Sequence, residues 1–212
     1  MTEIFNAYLR ALRSGDRKSA FAIALDAHRD GTDLRTLYLD VFQPALREIG
    51  RLWEQNDVTV AEEHLATAIT QSIMAGLYTR TTLVEESGYH MIAACAEFER
   101  HEIGLRMLCD FMDLEGWSTT FLGASVPRAS LAQMVCEQKP DVLALSASIT
   151  PHLTHLRATI DAVRAGCHDQ QPIILVGGRV FHQTPELAYA VGADLTAVDA
   201  REAAKLLRER FP

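Results

Sequence analysis

Along residues 1 to about 84 the apolar side chains recur at the three-to-four spacing of amphipathic helices and never settle into the two-residue alternation of a strand. "EIFNAYLRALRSG" closes at Gly15 and "DRKSAFAIALDAHRDG" at Gly31. The longer "DLRTLYLDVFQPALREIGRLWEQND" runs through Pro44, whose missing N–H predicts a kink or a division into two pieces. In "TVAEEHLATAITQSIMAGLYTRT", Thr59 is an N-cap residue and Glu62, three residues later, completes a capping box, which fixes the start of that helix. Four helices joined by short loops predict a four-helix bundle.

After "VEESG" the pattern changes. Short β-rich runs, "YHMIAACA", "STTFLG", "DVLALSAS", "PIILVGG" and "LTAVDA", alternate with helical stretches from "EIGLRMLCDFMDLEG" to "AREAAKLLRERF". Five such units predict a five-stranded parallel sheet with helices on both faces, an α/β arrangement of flavodoxin-like or Rossmann-like type. The chain thus divides into a helical bundle, residues 1–84, and an α/β domain, residues 85–212. Sheets of this kind bind ligands beyond the carboxyl ends of their strands, where the strand order reverses. In the flavodoxin-like order that point lies between the first and third strands.

Composition narrows the function classes. The formal charge of −8 lacks the cationic surplus that neutralises phosphates, so direct nucleic-acid binding is not expected. No apolar run reaches membrane-spanning length, and the charged opening "MTEIFNAYLRALRSGDRKSAF" does not read as a signal peptide, which predicts a cytoplasmic protein. Cys95, Cys109, Cys136 and Cys167 are widely spaced without a CxxC pair and are expected to be reduced thiols.

Chemistry concentrates at the predicted strand ends. The first strand ends in "EFERHEIG", the third carries Ser146 and Ser148, and the fourth ends in Gly177-Gly178. Small residues on adjacent edges leave a slot beside the sheet. A receiver domain needs an aspartate cluster there, and a dinucleotide fold needs a glycine-rich first turn; neither is present. His101 instead has Glu99 two residues before it and Gly104 three residues after it. A carboxylate beside a metal-ligating imidazole fixes its tautomer and strengthens the opposite nitrogen as a donor, while Gly104 keeps the next helix start bare. His28, His90, His155, His168 and His182 lack such a setting and read as ordinary surface histidines.

The run Glu99-x-His101-x-x-Gly104, then Ser146-x-Ser148, then Gly177-Gly178 resembles the cobalamin-binding fold of methionine synthase, the corrinoid methyl-carrier proteins and the CarH-type light-dependent repressors. The resemblance covers essentially the whole chain. It implies that His101 replaces the cofactor's benzimidazole as the lower cobalt ligand, with the displaced nucleotide tail in the slot by Ser146 and Gly177-Gly178. Ser148 stands where leucine or threonine is usual, and His152 stands where a relay serine is found. Trp53, nine residues, then Glu63-His64 resembles the upper-face motif of the CarH-type photoreceptors, and Val60, one turn before that pair, is expected to share its pocket. Those receptors often carry a histidine directly after the tryptophan; here it is Glu54.

The resemblance implies adenosylcobalamin or methylcobalamin, with cobalt carried in the corrin, and a light-sensing regulatory protein rather than an enzyme. Photolysis of the cobalt–carbon bond would change its conformation or assembly. Its implied partners are further copies of itself and a DNA-binding regulator or signalling protein, because the chain shows no counterpart of the helix-turn-helix domain of CarH repressors. The alternative is a corrinoid methyl-carrier protein for a methyltransferase system, and a third reading is a regulator that senses the cofactor or its redox state without light.

Overall fold

The computed structural model describes residues 1–82, 84–167 and 170–211, so His168 lies outside the described residues. The chain divides into two compact units, Met1–Thr82 and Leu83–Pro212.

The first unit is helical. α1 (Thr2–Arg13) and α2 (Arg17–Arg29) are followed by α3 (Leu34–Leu37), a π-helical stretch Tyr38–Phe42, α4 (Gln43–Glu54) and α5 (Val60–Tyr78). The side chain of Asp16 caps α2 by accepting from the Ser19 N–H at 3.0 Å. Thr59 and Glu62 form the reciprocal capping box at the start of α5. At Pro44 the chain neither breaks nor divides but stays helical from Leu34 to Glu54. Pro44 cannot donate to Asp40 and its ring crowds that carbonyl; the π-helical turn, which contains Asp40, shifts the ladder by one residue and absorbs both effects. The core of this unit stacks Phe42 between Tyr8 and Tyr38, with ring centroids 4.9 and 5.7 Å apart. The Tyr8 hydroxyl, which burial would otherwise leave unsatisfied, pairs with Thr70 Oγ1 at 2.9 Å.

The second unit is the flavodoxin-like sheet. Its strands are β1 (His90–Cys95), β2 (Ser118–Gly123), β3 (Val142–Ser146), β4 (Ile173–Gly177) and β5 (Leu195–Thr196), all parallel, in the order β2-β1-β3-β4-β5. Between them run α6 (Ile103–Asp113), α7 (Arg128–Gln138), α8 (Leu153–Gly166), α9 (Arg179–Gln183) and α10 (Glu186–Ala190), with α11 (Ala200–Arg210) last. The continuous apolar runs of β1 and β3 are buried throughout their centres because both sheet faces are covered. Ile92, Leu143, Leu145 and Val176 pack with Leu131, Val135, Leu156 and Ile160 in one core. His90 is not a plain surface residue: it begins β1 half-buried, with Nε2 3.0 Å from Thr120 Oγ1.

The cysteines need a correction. Cys136 and Cys167 form a disulfide across 5.0 Å between Cα atoms, and only Cys95 and Cys109 are free and buried. Spacing hid the pair because 31 residues separate its members, and only the packing of α7 beside α8 brings their ends together. Closing a loop of that length restricts the unfolded chain, so a reductant is expected to lower the thermal midpoint by roughly 5–10 °C. Mass spectrometry after thiol alkylation of native protein checks the assignment: Cys136 and Cys167 react only once reduced. Cys95, whose thiol burial and then the neighbouring Glu99 and Glu102 push up to about 12, stays unmodified.

Within the described residues no helix is long and apolar enough to cross a membrane.

Candidate functional site

Parallel pairing brings the chemistry-bearing strand ends level. Cys95 pairs with Ser146, and Ser146 with Gly177, so the ends of β1, β3 and β4 stand side by side. The ladder runs one step further, with the Ala96 N–H on the Ser146 carbonyl at 3.0 Å and the Ala147 N–H on the Gly177 carbonyl at 3.1 Å. Each chain then leaves the sheet on the same edge.

At the centre of that edge lies the carboxylate of Glu99, which is 0% exposed. A carboxylate withdrawn from water must find donors in the protein, and Glu99 finds four. Oε1 accepts from the backbone N–H of His101 at 2.9 Å and meets its Nδ1 at 2.5 Å. Oε2 accepts from the backbone N–H of Ser148 at 2.6 Å and meets Nδ1 of His152 at 2.9 Å. Burial alone would raise the Glu99 pKa; the hydrogen bonds from His101, His152 and Ser148 outweigh it and hold the carboxyl well below the usual range. Glu99 is therefore an anion, and both Nδ1 atoms act as donors to it.

The two histidines differ in exposure. The His152 side chain is 15% exposed, whereas that of His101 is 68% exposed. With Nδ1 tied to Glu99, the ring geometry turns Nε2 of His101 away from the carboxylate, and Nε2 is the ring nitrogen left to reach a metal. A Cβ built at Gly104 would meet nothing within 4 Å, so the start of α6 beside His101 is open. Among the described residues no group of three or more His, Cys, Asp or Glu side chains could hold a metal ion. A single imidazole presented in this way suits a metal that carries its other ligands in a macrocycle.

The glycine pair proves to have two different causes. Gly178 adopts φ +110°, and a Cβ there would lie 2.2 Å from the Ala147 carbonyl oxygen, so the backbone crossing itself requires glycine. At Gly177 a Cβ would meet its nearest atom, the Ala197 carbonyl oxygen, at an ordinary 3.7 Å. Gly177 is thus not required by the backbone, and it pairs with the buried Ser146 as a second small residue at the strand ends.

Sequence reasoning missed Ser125, in the loop between β2 and α7. Its N–H donates to the Glu99 carbonyl at 2.9 Å, and its Oγ accepts from the Phe98 N–H at 3.1 Å, fixing the loop that carries Glu99. Nothing local marks it; only the pairing of β2 with β1 brings it there. His155, read as an ordinary surface histidine, has its ring edge-on to Phe98 at 4.9 Å.

In the helical unit, Trp53 near the end of α4 is 47% exposed and Val60 at the start of α5 is 53% exposed. The Asn56 turn between them has φ +63°. Glu63 and His64 are joined, Oε2 to Nδ1 at 2.5 Å.

Comparison with known proteins finds B12-binding domain models and cobalamin-related relatives. Residues 89–208 match the family model described as B12 binding domain, and residues 4–78 match a second model of that description. The HTH-type transcriptional repressor CarA of Myxococcus xanthus is 36% identical over 51% of this chain and 36% of its own length. CarH of the same organism is 29% identical over 66% of this chain and 46% of its own length, so the chain spans less than half of either repressor. Trimethylamine corrinoid protein 1 of Methanosarcina acetivorans is 25% identical over 93% of this chain and 92% of its own length. The solved monomethylamine corrinoid protein of Methanosarcina barkeri shares the fold, with TM-score 0.85, 20% identity and 99% of both chains covered.

Proposed function

We propose, from the premise that this chain belongs to the B12 binding domain family, that it is a cobalamin-binding regulatory protein in which His101 is the lower cobalt ligand and the bound cofactor's state is passed on as a change of conformation or assembly. The single observation that carries the ligand assignment is the Glu99 carboxylate, buried and locked onto Nδ1 of an imidazole that is otherwise exposed. When bound, the adenosyl form supplies a light-labile cobalt–carbon bond. The chain's own residues hold and orient: Glu99 keeps His101 in one tautomer, His152 and the Ser148 N–H hold Glu99, and Ser146 with Gly177 leaves room for the nucleotide tail.

Within the helical unit, Trp53, Val60, Glu63 and His64 are the residues that would contact the adenosyl form. The Trp-x9-Glu-His spacing, together with the bond between Glu63 and His64, supports light-dependent regulation through a partner over methyl carriage. One observation favours the second reading, a corrinoid methyl carrier: the trimethylamine corrinoid protein matches along nearly its whole length, whereas the repressors match over less than half of theirs.

One experiment separates these. Purified protein is loaded with adenosylcobalamin in the dark, desalted, and its absorption spectrum and elution volume are recorded before and after green light. The regulatory reading expects a retained cobalamin spectrum that shifts on illumination together with a changed elution volume. His101→Ala is expected to lose imidazole ligation, and Trp53→Ala to lose coupling of light to assembly. A spectrum that shifts only as free cofactor does, with methylcobalamin retained and demethylated by a methyltransferase, moves the assignment to the carrier.

A further inference from the structure

Phe98 is a residue that the folded chain alone does not reward. Its φ is +70°, the left-handed region that disfavours a bulky side chain. It is also 59% exposed, so burial does not offset that strain. The conformation is nonetheless built from several sides. The Phe98 N–H donates to Ser125 Oγ at 3.1 Å, and Ser125 is itself left-handed at φ +51°. The ring stands edge-on to His155, centroids 4.9 Å apart at 72°, and His155 Nδ1 lies 3.8 Å from Glu97 Oε2.

The surroundings indicate what the ring is for. Phe98 directly precedes Glu99, and Ile149, 44% exposed, directly follows Ser148, whose N–H meets the Glu99 carboxylate at 2.6 Å. Two exposed apolar residues thus adjoin in sequence the two partners of one hydrogen bond on the edge that presents His101. Strain maintained by its surroundings beside a candidate ligand marks a position selected for contact rather than for folding. An aromatic face at a rim gains its burial only when a flat apolar body is laid on it.

We infer that Phe98, braced by His155, is a contact residue for the corrin macrocycle and, with Ile149, forms an apolar seat beside the His101 imidazole. The inference rests on the cobalamin reading and adds the chemistry of the seat: the ring's methyl-bearing surface packs on Phe98 while His101 reaches the metal.

Strain and contact make opposite demands at this position, which gives the test. Adenosylcobalamin binding to the full chain is titrated in the dark by absorbance, and the thermal midpoint of the cofactor-free protein is measured, for the parent, Phe98→Gly and Phe98→Tyr. Glycine relaxes at φ +70°, so the cofactor-free midpoint is expected to hold or rise, while Kd weakens about tenfold. Phe98→Tyr, which keeps the aromatic face, is expected to bind like the parent. Parental affinity in Phe98→Gly overturns the inference and leaves the cobalamin reading standing. Weakened binding accompanied by a midpoint lowered by more than about 5 °C overturns it in favour of a purely structural role. A parent chain that takes up no cobalamin overturns both.

Discussion

Glu99→Ala is expected to destabilise the second unit by about 3 kcal/mol and to weaken cobalamin binding by roughly 10- to 100-fold. The stability loss follows from what the carboxylate leaves behind. Four donors converge on it, and two of them, the Ser148 N–H and the half-buried His152 ring, are withdrawn from bulk water. Removing the acceptor strands those donors, which costs more than the net worth of the bonds themselves. The affinity loss is separate: Glu99 no longer holds Nδ1 of His101. His101→Ala should divide these effects, because its side chain is 68% exposed and contributes little packing. It is expected to lose imidazole ligation with a smaller loss of stability than Glu99→Ala, since three of the four donors to the buried carboxylate remain. Urea unfolding and absorbance titration of the two variants together check the division.

The same site predicts the acid side of the stability curve. The folded-state pKa of Glu99 lies below its ordinary value of 4.5, because the hydrogen bonds to the anion outweigh burial. Its contribution is therefore complete above pH 4.5 and is lost as the pH falls below that value toward the lowered pKa. Parent and Glu99→Ala unfolding curves are expected to converge as the pH is lowered through that window. A gap that stays constant from neutral pH into the acid range would falsify the ionised, hydrogen-bonded assignment.

Gly178→Ala is expected to cost at least about 3 kcal/mol, and it does so without touching any ligand residue. At φ +110° and ψ 168° the backbone occupies a region open essentially to glycine alone. A Cβ would also overlap Ala147, 2.2 Å from its carbonyl oxygen and 2.8 Å from its carbonyl carbon. Both atoms belong to the backbone that continues β3, whose Ala147 N–H is fixed on the Gly177 carbonyl, so relief requires parting β3 from β4. Gly177→Ala is the matched control. Its Cβ meets only ordinary contact at 3.7 Å and is expected to be tolerated in folding. If the two alanine variants unfold at the same temperature, the distinction drawn between the paired glycines is wrong.

Much of the site was legible in the sequence. Glu99 and His101 are local: two residues apart after an apolar run, they were bound to leave the sheet together, and their bond needs no distant partner. The capping box of α5 is local in the same way. What could not be read depends on positions far apart in the chain. His152 was singled out through a family's relay position, yet its bond to the second Glu99 oxygen spans 53 residues. Ser125, 27 residues from Phe98, carries no signal of its own. At Pro44 the sequence reading offered a kink or a division and not the π turn, because a proline rule specifies the lost hydrogen bond but not how the neighbouring turns redistribute it.

Hydrophobic period, caps and turn residues determined the helical half, the five strand–helix units and the edge on which chemistry would appear, since each is set by contacts within a few residues. The tertiary structure alone decided which strand ends stand level, which glycine is required by a backbone crossing, that Cys136 meets Cys167, and that Glu99 is an anion held by four donors. Those outcomes depend on strand register and helix packing, in which a shift of a single residue would move every side chain to another neighbour.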